Sequence, residues 1–544
     1  MNVTRRAVLG FGGGAAVGIA LSPAPWKLLD DLGIWTQNWK WIPRPPHGPV
    51  TLRTTNCSLC TAGCAVQARC IGGHPVAMKA VAADTLGSGA LCPLGQTGHH
   101  LRYHPARLTS AVRIGRKSGA KTEALSTDAV VAETARALRR SGTVAVLDMR
   151  PGRSVSWGWR RLMAEVPDGV VINGPGREGA SLATLRGMLQ GDAPAVGVDL
   201  EHARAILSFG APLAEGWGSP HFTGKLLRRG KGELHFVQVD PTRTRTAEVA
   251  DRWLAARPGT EAVLALGIGH VMLAEGLATA DAVKASVDLS DYVTLVDRFT
   301  PQAVEAVTGV PAQSIVLAAR EIAGNLPAVV IAGEDAGGGR FGTLTETAIL
   351  GLNALLGTPG QEGGVIAHAE LPAPFADEKL AAVRELDEVP AGSISLLLID
   401  SSAGEGVVPW PVISKKLAKD ARVIAMSPYL AGLALHADLV VPTAPFLEGT
   451  LEIATPFDST RPMLALAVPI GTPREGIADP IEFVRTSLIA AGLPATGDWT
   501  KSEELIRARV AAIHASGDGE VVAAAAGTTT PMADLASADD LWTA

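Results

Sequence analysis

The chain has 544 residues, 47% of them hydrophobic and 19% charged, with a formal net charge of −6. That length accommodates three or more domains of about 100–200 residues, and the interspersed, mildly acidic charge provides no basic stripe for phosphates, so no nucleic-acid partner is expected. Only five cysteines occur, all between residues 57 and 92, which is too few and too local to staple the chain by disulfides but suits one metal centre.

Residues 1–25 carry Arg5-Arg6 ahead of an apolar, glycine-rich run from Ala7 to Leu21. The run is shorter than the about 20 residues a spanning helix needs. It predicts a twin-arginine export signal and therefore a periplasmic protein, held to the membrane through a complex. Residues 26–50 hold Trp26, Trp35, Trp39 and Trp41 among several prolines. Such a density of amphipathic rings predicts an extended arm, packed on the chain's own domains or on a partner.

Residues 51–110 read as a small domain of short strands and turns, with a hairpin "AVQARCI", Gly72-Gly73, "PVAMKAV". Three cysteines precede the hairpin and one follows it, as Cys57-x2-Cys60-x3-Cys64-x27-Cys92-Pro93. A cubane needs one thiolate per iron corner, so three ligands on a tight loop and a fourth from across the hairpin suit a [4Fe–4S] cluster. A structural zinc ion takes the same ligand type, usually as two close pairs. Cys70, inside a predicted strand, reads as a small buried hydrophobe.

Beyond residue 110 near-continuous apolar runs alternate with helical stretches: residues 143–149, 169–174, 205–210 and 234–240, then 327–333, 394–400, 422–428 and 437–443. Runs of this kind are strands buried on both faces. They predict two doubly wound α/β domains, one discontinuous (residues 111–141 with 322–480) and one inserted (142–321). Residues 481–515 read as C-terminal helices with a capping box from Thr500 to Glu503. The low-complexity residues 516–544 are expected to be disordered.

One predicted strand ends in Asp240, with Thr244 beyond it, which would put a carboxylate at a sheet's carboxyl edge, where it can accept from a ribose or a guanine. The turn "RPGTE", holding Gly259 and Glu261, opens a helix whose first N–H groups can face an anion. Residues of these types also serve as plain caps and turns.

The cysteine pattern, its Cys-Pro fourth ligand, the following "GHHLRYHPARL", and the ordered segments "AILSFGAPLAEGWGSP", "FVQVDPTRTRTAEVADRWLAARPGTEAVLALGIGHVM", "LNALLGTPGQEGGV" and "ADLVVPTAPFLEGT" resemble the molybdopterin oxidoreductase superfamily over residues 50 to 490. That resemblance implies an N-terminal 4Fe-4S domain, two α/β domains and molybdenum or tungsten carried by molybdopterin guanine dinucleotide. It makes Asp240, Thr244, Gly259 and Glu261 candidate dinucleotide contacts, although relatives commonly have aspartate where Glu261 stands. Three departures stand out. Leu94 occupies the position, two residues after the fourth cysteine, where electron-transferring relatives carry lysine or arginine. No cysteine stands where the metal ligand is expected, and Ser181 is the one replacement. No segment reads as the C-terminal β-barrel domain of relatives.

These departures favour a retained cluster scaffold. Within the superfamily the sequence most resembles the molybdopterin-like subunits of Qrc-type menaquinone reductase complexes, which share the arginine pair and a segment like "KLLDDLGIWTQNWKWIP". The resemblance implies three partners: a multihaem cytochrome c subunit, a ferredoxin-like iron–sulfur subunit and a polytopic quinone-binding membrane subunit. The expected function is electron transfer between cytochrome c and quinone. Two alternatives stay open at this point: a catalytic molybdenum or tungsten oxidoreductase acting on a small oxyanion or formate-like substrate, and an assembly subunit with a zinc site.

Overall fold

The computed structural model describes residues 4–21, 47–81, 91–115, 122–174, 185, 195–219, 223–224, 226–229, 232–279, 289–333, 341–375, 379–404, 408–471, 475–523 and 528–539. Ser181 and the tryptophan-rich residues 26–46 lie outside them. Residues 1–51 with 70–74 cluster as one unit, and residues 52–69 with 75–544 as another. In the first, the helix Arg5–Leu21 is exposed along its whole length. Among the described residues no helix is long and apolar enough to cross a membrane.

The cysteine region is built on three strands, β1 (Val50–Asn56), β2 (Ala65–Ile71) and β3 (His74–Ala80), paired in that order. Cys57 and Cys64 bracket the loop between β1 and β2, and the Cys57 N–H donates to the Cys64 carbonyl at 2.8 Å. Cys70 is fully buried within β2.

Two parallel sheets form the body. The larger takes β4 (Ala111–Arg113), β5 (Glu123–Leu125), β6 (Thr143–Asp148), β7 (Gly169–Asn173), β14 (Val383–Glu385), β15 (Ile394–Asp400), β16 (Leu417–Ser427) and β17 (Leu439–Pro442), in the order β14-β7-β6-β15-β16-β17-β4-β5. Its first six strands in that order are parallel, and β4 and β5 close one edge antiparallel. The smaller sheet is all parallel, β11-β10-β9-β12, from β9 (Ala205–Phe209), β10 (His235–Val239), β11 (Arg252–Leu254) and β12 (Ala328–Ala332). A separate two-stranded antiparallel pair joins β8 (Ala195–Val198) and β13 (Val365–His368), which flank those four strands in sequence. β9 and β12 are buried along their whole length and β6 from Val144 onward, in keeping with their apolar runs.

The strand pairing draws the domain boundary elsewhere than the sequence did. β6 and β7, assigned to the inserted unit 142–321, pair into the larger sheet beside β15, while β12, assigned to the outer domain, pairs with β9. The strands of the inserted sheet thus run from residue 205 to residue 332. The apolar runs reveal burial on both faces but carry no record of which neighbour each strand takes.

Two further expectations change. In the low-complexity tail, the strand Glu520–Ala523 pairs antiparallel with the strand Thr528–Pro531, because Val521, Val522 and Thr528 to Thr530 supply β-branched residues to both. The helix Ser502–Ser516 is capped by Glu504, which accepts from the Lys501 and Thr500 N–H groups, whereas Glu503 pairs with Arg507 at 2.8 Å.

Candidate functional site

The sulfur loop is buried and set with N–H donors. Cys57 and Cys64 are 4% and 7% exposed, and Cys60 and Cys92 are half-buried. Burial pushes the Cys57 thiol up to about 12; the Leu59 N–H lowers it, Cys60 and Cys92 raise it, and Arg150 lowers it. Cys60 is raised by burial, against lowering by the Ala62 N–H and Arg150. Cys92 caps the short helix Pro93–Thr97, its Sγ accepting the Gly95 N–H at 3.4 Å. Three sulfurs therefore sit close enough to repel one another as thiolates, each with a backbone N–H aimed at it.

Burial disfavours the thiolates of Cys57 and Cys60 unless a cation offsets it, and N–H donors to sulfur are groups that tune an iron–sulfur centre. The residues present therefore fit a cluster. Among the described residues no three or more His, Cys, Asp or Glu side chains gather as one metal ion requires. A cubane spreads its four thiolates over four corners, wider than one ion does.

The segment after Cys92 docks this loop onto the larger sheet. Arg107 makes a bidentate pair with Glu448 at 2.8 and 2.5 Å, and Arg102 approaches the same carboxylate at 3.3 Å; Arg107 and Glu448 are 3% and 1% exposed. Tyr429, just past β16, donates its hydroxyl to the Leu101 carbonyl at 3.1 Å. Gly98 is required by contact: a Cβ there would stand 2.8 Å from the Phe446 ring and 2.9 Å from Leu59. Between loop and sheet lies a pocket of about 250 Å³, lined among others by Ser58, Leu59, Ser401, Gly404, Tyr429 and Phe446.

Below the pocket the carboxyl edge of the larger sheet carries an internal ion triad. Register sets Asp400, the last residue of β15, directly beside Asp148, the last of β6. Two carboxylates cannot share that burial alone, and Arg153 lies across them, with Nη2 at 3.1 Å from Asp148 Oδ1 and 2.9 Å from Asp400 Oδ2. Trp159 Nε1 at 2.9 Å and the Ser402 N–H at 3.0 Å also donate to Asp400. Burial raises the Asp148 carboxyl; the Arg153 charge lowers it and Asp400 raises it. These residues escaped the sequence reading. Two strands ending in aspartate, "VLD" and "LLID", were the available signal.

At the smaller sheet the dinucleotide candidates form two bonded pairs. Asp240 Oδ2 accepts from Gln238 Nε2 at 2.8 Å and Thr244 Oγ1 at 3.0 Å, and burial raises its carboxyl against those two bonds. Thr244 also caps the helix Arg245–Val249. Gly259, at φ +80°, donates its N–H to Glu261 Oε1 at 3.2 Å, and Glu261 opens the helix Glu261–Ala274. Nearby in sequence, Trp217 Nε1 and Gln238 Oε1 are buried polar atoms with no hydrogen-bond partner. Beside Asp240, the unpartnered Gln238 Oε1 is the kind of group that a ligand bringing its own donors satisfies, so the residues present at this end of β10 fit a nucleotide.

Residues 173–455, just over half of the chain, match the family described as Molybdopterin oxidoreductase. The chain belongs to the molybdopterin oxidoreductase family. Membership makes it an oxidoreductase-family subunit and implies a molybdopterin cofactor for the group. Among its relatives, the menaquinone reductase molybdopterin-binding-like subunit of Nitratidesulfovibrio vulgaris is 27% identical over 87% of this chain and 70% of that protein. The thiosulfate reductase molybdopterin-containing subunit PhsA of Salmonella typhimurium is 24% identical over 81% of this chain and 63% of its own length. Acetylene hydratase from Pelobacter acetylenicus shares the fold, with a TM-score of 0.65, 19% identity, and 85% and 72% of the two chains covered.

Proposed function

We propose that the chain is a periplasmic iron–sulfur electron-transfer subunit of a respiratory, membrane-associated oxidoreductase complex. Cys57, Cys60, Cys64 and Cys92 hold one [4Fe–4S] cluster, which supplies one-electron chemistry when bound. The carrying observation is the buried loop that turns a backbone N–H toward Cys57, Cys60 and Cys92. Its burial shields Cys57 and Cys64 from water. The Arg107–Glu448 pair holds the following segment, and with it the fourth ligand, against the larger sheet.

Likeness to a menaquinone reductase subunit supports a role in electron transfer to quinone, and the partners of this reading are a multihaem cytochrome c subunit, a ferredoxin-like subunit and a polytopic quinone-binding membrane subunit. Arg5-Arg6 supports export by the twin-arginine route. In the producing cell, Arg5→Lys with Arg6→Lys is expected to leave the chain in the cytoplasm. Unchanged periplasmic accumulation would remove that part of the reading. For the cluster, the purified chain is expected to be brown, with a visible band that bleaches with dithionite; a colourless, iron-free chain would remove the electron-transfer role.

A second reading, a catalytic molybdenum or tungsten oxidoreductase, is favoured by the orphan Trp217 and Gln238 atoms and by the likeness to a thiosulfate reductase subunit. Guanine dinucleotide extracted in stoichiometric amount with molybdenum or tungsten would establish it.

A further inference from the structure

Leu94 is 52% exposed and brings no charge to the sulfur loop from the fourth-cysteine side. A cation reaches the loop from a different element. Arg150 stands two residues past the end of β6, and the ion triad fixes its backbone: its N–H donates to Asp148 Oδ1 at 3.0 Å, and its carbonyl accepts from Arg153 Nε at 2.6 Å. Its guanidinium donates from Nη2 to the Leu59 carbonyl at 3.1 Å, between Cys57 and Cys60 in the loop. On the other side, Gly404 sits at φ +114°, and a Cβ there would stand 3.0 Å from the same Nη2. Leu59 and Gly404 both line the pocket between loop and sheet. The charge is thus held between the sulfurs and the carboxyl edge of β15, and it bears on both Cys57 and Cys60.

We propose that Arg150 sets the reduction potential of the centre held by Cys57, Cys60, Cys64 and Cys92. This rests on the iron–sulfur reading above. Reduction adds one electron, supplied by the partner donor or by dithionite, and one unit of negative charge to a buried, already anionic cage. No proton need move. A fixed guanidinium beside the cage stabilises the reduced state and so raises the potential. The triad's role is to keep that guanidinium in place, since Asp148 anchors Arg150 and Arg153 together.

The test is an EPR-monitored redox titration of the purified full chain with iron counted per chain, for the native protein, Arg150→Met and Arg150→Lys. With full iron, Arg150→Met is expected to titrate at lower potential. Where the native centre is half reduced, its oxidised-to-reduced ratio rises by about tenfold, equal to about 59 mV for one electron. Arg150→Lys keeps the charge and is expected to stay within about threefold of native. Full-iron Arg150→Met that titrates with the native protein overturns the inference, as does Arg150→Lys displaced as far as the methionine variant. If Arg150→Met loses its iron, full-iron Arg150→Lys at the native potential sustains the charge role, and an iron-free lysine variant overturns it. A native chain without iron overturns the iron–sulfur reading and this inference together, whereas an unmoved potential overturns the inference alone.

Discussion

Replacing Arg153 by leucine leaves Asp148 and Asp400 face to face in the larger sheet with no cation between them. Both carboxylates are 0% exposed and the guanidinium 3% exposed. Removing one partner of a buried pair costs about 3–5 kcal/mol, because the remaining charge is left uncompensated. At about 2–4 °C per kcal/mol for a domain of this size, the melting temperature falls by about 6–20 °C. The loss depends on pH. Burial raises the Asp148 carboxyl in the folded state above its unfolded value, so its contribution to stability is present below the unfolded pKa and is lost as pH rises through the folded one. Removing Arg153, which lowers that carboxyl, raises it further. The variant's deficit therefore shrinks on acidification, by about 1.4 kcal/mol for each pH unit over which Asp148 takes up a proton. Denaturant unfolding followed by circular dichroism at pH 8 and pH 5 measures both effects. A variant within about 1 kcal/mol of native at pH 8, with no change in the deficit at pH 5, would refute the triad as a coupled, dry ion set.

Serine at Cys57, Cys60, Cys64 or Cys92 is expected to abolish bound iron, while Cys70→Ala, inside β2, keeps it; iron per chain after anaerobic purification decides between these. Glu448→Ala strands Arg107 and Arg102 and should cost about 3–5 kcal/mol, with proteolytic cleavage between residues 98 and 108 appearing first. Burial lowers the His368 imidazole, against a hydrogen bond with Ser459. Its contribution to stability is present above the unfolded pKa of about 6.5 and lost as pH falls toward the folded value. His368→Gln should flatten the acid limb of the stability profile, and an unchanged profile would assign that limb to other groups.

The cysteine loop was legible because its spacing is local: Cys57, Cys60 and Cys64 lie within eight residues, on the tight loop between β1 and β2. The strands β6, β9, β10 and β15 were legible as apolar runs. Their assignment to sheets was not, since β6 meets β15 across about 250 residues of sequence and nothing local encodes the choice. The same distance hid the triad, in which Arg153 and Asp400 are 247 residues apart, and the Arg107–Glu448 pair, 341 apart. Asp240, Thr244, Gly259 and Glu261 were legible as turn and cap chemistry, and the structure bonds them in those roles. A nucleotide-facing role would rest on tertiary packing around them, which carries no local signature. Arg150 reads in sequence as one more loop arginine after a strand. Only the approach of the Leu59 carbonyl gives it a place.

One iron–sulfur centre serving electron transfer leaves a signature in the metal content of the protein. Metal and cofactor analysis of the purified native complex, with EPR of the dithionite-reduced sample, tests it most directly. About four irons per chain, one reduced-cubane signal, and no stoichiometric molybdenum or tungsten are expected. Stoichiometric molybdenum with extractable guanine dinucleotide, or zinc in place of iron, would contradict it.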